Sequence, residues 1–179
     1  MRYFGAWIVL GVAFYALTGC ARTSTKSPDV AGAVRQSLDR SGLKDVSVND
    51  DRENGVVTLG GHVASDEAKS QAQAIAQSMA GGQVVANQVA VIPPGVEKEA
   101  KTVNSDLDKG IEKNLDAALV ASRLDTNLKY DVKNRVVVLK GEVDSQAKRS
   151  EVAKVAAQVP NVAQVVNEVQ VKDQKATAN

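Results

Sequence analysis

Two places in this 179-residue chain carry side chains whose chemistry goes beyond packing. The first is Cys20, the only cysteine, which closes the run Leu17-Thr18-Gly19-Cys20. A thiolate is a good nucleophile, and small neighbours leave its backbone open to an approaching enzyme. The second is His62, the only histidine, with Ser65 and Asp66 close behind. Those three residue types suggest a nucleophile, a base and an orienting acid, which must lie within hydrogen-bond reach of one another. The pattern denies it: His62 falls in a strand, and its counterpart in an internal repeat is Glu142. His62 is read as an exposed strand residue. No HExxH, CxxC or phosphate-binding loop occurs, and Gly60-Gly61 and Gly81-Gly82 lack the helix entry that a phosphate cradle requires. The sequence therefore assigns no catalytic residue, no metal ligand and no cofactor, and it reads as non-enzymatic.

The residues before Cys20 say what its thiol is for. Arg2 is the only charge ahead of it, and Tyr3 to Thr18 is almost wholly apolar or aromatic. A positive start, an apolar stretch and small residues before a cut describe a secretory signal over residues 1–19. The apolar run is short for a bilayer span, which takes about 20 residues. Leu17-Thr18-Gly19-Cys20 resembles the lipobox of bacterial lipoproteins. That resemblance implies a diacylglycerol on the sulfur of Cys20, cleavage that makes Cys20 the first residue, and a further acyl chain such as palmitate on its amine. Each buried methylene of such chains adds about 0.8 kcal/mol to anchoring. Ala21, rather than an aspartate, follows the cysteine, which by the same resemblance implies the outer membrane, facing the periplasm.

Composition narrows the partners. Of 22 basic side chains, loss of Arg2 with the signal leaves 21, equal to the 21 acids. A balanced charge speaks against broad nucleic-acid binding, which needs a clustered positive field. Tyr3, Phe4, Trp7, Phe14 and Tyr15 all lie in the signal, so Tyr130 is the only aromatic of the mature chain. Its cores must be built from Val, Leu, Ile, Ala and Met.

The chain repeats itself. "NGVVTLGGHVAS" (Asn54–Ser65) aligns with "NRVVVLKGEVDS" (Asn134–Ser145) at an offset of 80, which continues to "VANQVAV" (Val85–Val91) against "VVNEVQV" (Val165–Val171). Each copy reads α-β-β-α-β. In the first, Ser27-Pro28-Asp29 is read as the N-cap and first turn of a helix carrying Val30, Val34 and Leu38, with Gly42 ending it. Ile111, Leu115, Ala118 and Leu119 form the matching stripe in the second. Two strands follow, Val46–Asp50 and Val56–Val63, joined at Glu53-Asn54-Gly55; Asn-Gly is a strong hairpin signal, and Asn134-Arg135 specifies its turn less well. Ser65 and Ser145 cap a second helix, and the last strand runs Val84–Ile92 or Val162–Val171. The expected fold is α+β, with each copy a three-stranded mixed sheet packed on two helices. Gly61 and Gly141, late in the middle strand, are read as structural glycines marking a bulge or close backbone approach.

The glycine-bearing core Val46-Ser47-Val48 with Gly55–Val63, and the closing V-x-N-x-V-x-V strand, resemble the BON domain. The expected layout is signal 1–19, lipidated tether 20–28, first BON domain 29–92, linker 93–105, second BON domain 106–173 and tail 174–179. The tether from Ala21 to Pro28 spans at most about 28 Å at ~3.5 Å per residue. A lipobox ahead of two BON domains resembles the dual-BON outer-membrane lipoproteins of the DolP type; two BON domains alone resemble the OsmY type. The resemblance implies an envelope-integrity protein without enzymatic activity, whose second domain binds anionic phospholipid. Lys140, Lys148, Arg149 and Lys154, which gather in sequence around the second helix of that domain, are the candidate contacts. The alternative is a periplasmic protein-binding module or chaperone, serving outer-membrane protein assembly or the osmotic-stress response and taking a client strand on an exposed sheet edge.

Overall fold

The computed structural model describes residues 26–124 and 127–172, so Cys20, most of the tether and the tail from 174 lie outside the described residues. The first unit runs α1 (Ala31–Arg40), β1 (Val46–Asp51), β2 (Val56–Val63), α2 (Asp66–Met79), β3 (Val84–Asn87) and β4 (Ala90–Val91). The second runs α3 (Glu97–Ala121), β5 (Leu128–Lys133), β6 (Val136–Val143), α4 (Gln146–Ala157), β7 (Gln164–Asn167) and β8 (Gln170–Val171). In each unit the middle strand pairs antiparallel with the first and parallel with the third, whose end forms a separate short bridge farther along the same middle strand. This is the α+β arrangement expected from the pattern.

Side-chain alternation along the middle strands builds the cores. Val57, Leu59 and Val63 face α1 and α2, against Val34, Leu38, Ala72 and Ala76. Val137, Leu139 and Val143 face α3 and α4, against Ile111, Leu115, Val152 and Ala156. On the opposite, helix-free face the sheets meet only in part, and His62 and Lys140 stay exposed there. Val56 and Ala86 of the first unit and Val136, Val138 and Val166 of the second form one buried cluster between the two sheets. Polar bonds surround it: Asn134 Nδ2 donates to the Gln88 carbonyl (2.7 Å), and Gln164 reaches the main chain of β3.

Four local features differ from the sequence reading. α1 begins at Ala31, with Val30 as an N-cap that has no side-chain bond, and its first turn holds no acid. Ser27 and Pro28 instead strap the chain to the loops: Ser27 N–H donates to the Arg52 carbonyl (3.0 Å), Arg52 Nε to Ser27 O (2.7 Å) and Gln83 Nε2 to Pro28 O (2.8 Å). The closing strand is broken after Asn87 and Asn167. Each asparagine Oδ1 accepts from the N–H two residues on, and each Nδ2 donates to a helix carbonyl, Lys69 or Arg149, which pulls the chain out of the ladder. The Asn134-Arg135 turn, expected to be loosely specified, is the tighter of the two. It has two residues where the first copy has four, both at positive φ (49° and 68°), and Asp108 accepts from both their N–H groups at 2.8 Å. Residues 97–105 of the expected linker are the opening turns of α3, a 25-residue helix.

The two glycines occupy matching sites of close backbone approach rather than bulges, since the strand register runs through both without an extra residue. Gly61 (φ 84°) and Gly141 (φ 124°) press against the carbonyls of Asp45 and Asn127, where an added Cβ would overlap the oxygen. The next N–H, of His62 or Glu142, donates to that same carbonyl (3.3 Å).

Candidate functional site

The candidate cations do not form one surface. α4 starts at Ser145, whose Oγ accepts from Lys148 N (3.2 Å), so the helix phase is fixed from its cap. At 3.6 residues per turn, Lys148 and Lys154 stand about 120° apart around the axis. Arg149 lies toward the sheet: it is half-buried, its Nη2 donates to the Asn167 carbonyl (3.4 Å), and its own carbonyl accepts from Asn167 Nδ2. Lys154 is exposed in the last turn, where a cation complements the helix dipole. Lys140 is separate from all three. It sits on β6 in phase with Val136 and Val138, on the face turned toward the first unit, and its Nζ pairs with Glu168 (3.5 Å).

Lys148 belongs to another group. Its Nζ and that of Lys172 both contact the Asp144 carboxylate, at 3.1 and 3.4 Å. The bonds from Lys148 and then Lys172 hold that carboxyl below the usual carboxylate range. Arg123, just past the end of α3, joins them around a pocket of about 200 Å³ whose other walls include Leu124, Glu142 and Asp144. Being exposed, these pairs add little stability; what they do is hold two ammonium groups side by side. Val120, one turn before Arg123, is 60% exposed. Sequence reading missed Arg123 and Lys172 because nothing local marks them. Three elements bring them to Lys148 only on folding.

The remaining chemistry is sparse. His62 is exposed on β2, and among the described residues no cluster of three His, Cys, Asp or Glu side chains could hold a metal. No helix among the described residues is long and apolar enough to cross a membrane. Both units instead show the same asparagine staple and the same close approach of a positive-φ glycine to the neighbouring backbone at equivalent positions.

Those shared devices coincide with a family pattern: the model of the BON domain matches residues 27–93 and again 107–173. The chain belongs to the BON family. BON proteins are associated with the bacterial envelope and with phospholipid binding. No curated protein matches the chain at a significant level. Among solved structures it is similar to the C-terminal domain of CdsD, a structural protein of the type III secretion system of Chlamydia trachomatis. That likeness has 17% identity and a TM-score of 0.33, covering 79% of this chain and 67% of the other. A second CdsD structure from the same organism gives 16% identity and a TM-score of 0.35, covering 80% of this chain and 64% of that one. Both likenesses are remote.

Proposed function

We propose that this BON protein is a non-enzymatic, lipid-anchored envelope protein that maintains outer-membrane integrity, with the second domain touching anionic phospholipid. The observation that carries the reading is the convergence of Arg123, Lys148 and Lys172 at one end of that domain; Val120, three residues before Arg123 in the chain, is exposed. Clustered cations suit an anionic headgroup layer, where each lysine or arginine contributes about 1 kcal/mol. Glu142 and Asp144 in the same pocket offset part of that charge, so the attraction is short-ranged and sensitive to salt. The anchor at Cys20 and the outer-membrane address rest on the lipobox resemblance.

Sedimentation with phosphatidylglycerol vesicles tests the surface. Arg123→Glu, Lys148→Glu and Lys172→Glu together should weaken retention by at least about tenfold, since three contacts of roughly 1 kcal/mol are reversed. Arg149→Glu and Lys154→Glu should do less. Unchanged retention in the triple variant removes this end of the domain from consideration, and equal retention on neutral phosphatidylcholine removes anionic lipid as the ligand. Mass spectrometry of the mature amino terminus tests the anchor separately.

A further inference from the structure

The two BON units treat their outer strand edges differently. On β3, the edge away from β2 is closed by one side chain: Gln164 Nε2 donates to the Val85 carbonyl (2.6 Å), and Gln164 Oε1 accepts from Asn87 N–H (3.0 Å). A primary amide thus stands where the peptide group of a further strand would stand. The residue at the equivalent position of the first unit is Val84, which has no amide to return the bond and is 51% exposed. On β7, Gln164 and Glu168 donate inward to carbonyls of Arg135 and Leu139, which leaves the main-chain groups of Val165 and Asn167 on the outer edge. Among the described residues no side chain bridges them as Gln164 bridges β3; the Asn167 carbonyl meets only Arg149 Nη2 at 3.4 Å.

Beside that edge runs a groove of about 450 Å³ between α4 and β7, lined by Ala153, Lys154, Ala157, Val162 and Val165. The matching positions on α2 are Gln73 and Gln77 in place of Ala153 and Ala157. Gln73 is spent on Asn87, whose Nδ2 it accepts (3.1 Å). The second unit has alanine at both positions, which leaves space next to a strand edge that no amide side chain among the described residues bridges.

We infer that the β7 edge is an acceptor for an extended peptide segment. The segment lies along Val165–Asn167, donates to the Val165 carbonyl, accepts from the Asn167 N–H and places one apolar side chain in the α4–β7 groove. The occupant's backbone chemistry is set by the molecule itself, because an amide already closes the homologous edge. Main-chain bonds supply affinity in such strand addition, and the groove supplies selectivity for alternate residues. Lys154 in the groove and Arg149 at the end of β7 favour acidic residues flanking the apolar one. The inference is independent of lipid contact, which involves the other end of the domain.

The test uses the full chain in phosphatidylcholine nanodiscs, which present no anionic lipid. The probe is a fluorescent synthetic peptide of alternating valine and serine with glutamate at both ends. Binding is expected to slow hydrogen exchange at Asn167, and N-methylation of alternate peptide residues should abolish it. Val84→Gln, which gives β7 the closure that β3 has, and Ala157→Gln, which refills the groove, should each weaken binding at least about tenfold with melting temperature unchanged. The idea is overturned if the peptide leaves exchange at Asn167 unaltered, if the N-methylated peptide binds equally well, or if neither variant weakens binding. It is also overturned if phosphatidylglycerol vesicles protect Asn167 and the peptide does not.

Discussion

At Gly141 the chain turns through φ 124° with the Asn127 carbonyl against it, and at Gly61 through φ 84° against Asp45. Any side chain at either site meets both a backbone oxygen and an unfavourable torsion, a strain of about 1–3 kcal/mol. Domains of this size have little margin, so Gly141→Ala should lower the melting temperature of the second domain measurably; a variant that melts like the parent contradicts the close approach. Tyr130 offers a titration. Burial first, then the hydrogen bond its phenol donates to Asp116 and the charges of Asp116 and Glu112, push it from its ordinary 10 up to about 12. A raised pKa in the folded state means that its stabilisation is complete below pH 10 and is lost as pH climbs to about 12, because the unfolded phenol ionises first. Thermal melts across that range should fall more steeply for the parent than for Tyr130→Phe; parallel curves would remove Tyr130 from the alkaline transition.

Among the elements, the β5–β6 turn shows how a distant residue decides local structure. Arg135 at φ 68° is strained on its own. The two bonds from the turn to Asp108 on α3 hold it there. Asp108→Ala should cost about 1–2 kcal/mol by leaving two donors to water, and urea unfolding of the second domain would register it as a lower midpoint. The offset of 80 shared by the two copies, the apolar phase of the strands and the stripe through Ile111 and Leu115 were all legible in the sequence, because each depends on residues close along the chain. The start of α1 was not: Ser27 makes a good cap in isolation but bonds to Arg52, a partner from the β1–β2 turn. The same reason hid Arg123 and Lys172 from the candidate surface. It also explains why Lys140, near Lys148 in sequence, stands on another face. A strand and the helix after it share neighbours in sequence but not in exposure.

For the molecule as a whole, the decisive packing is between the units. Val56, Ala86, Val136, Val138 and Val166 bury the middle of the two helix-free faces against each other, which lets two small cores support one another. Val138→Asp would place a carboxylate in that seam at a cost of a few kcal/mol. Calorimetry should then resolve two transitions in place of a single one, while Val138→Ala keeps them merged; a single transition in both variants would deny the coupling. The seam also has a particular form. Val56 and Val136, and likewise Ala86 and Val166, are equivalent residues of the two copies meeting in the same cluster. A surface that matches a copy of itself is the mark of a twofold homodimer, here joined end to end by one covalent chain. Fusion converts a bimolecular association into an intramolecular one, with an effective concentration on the millimolar scale. The two halves then stay together however dilute the protein becomes, which a dimer of single units could not do.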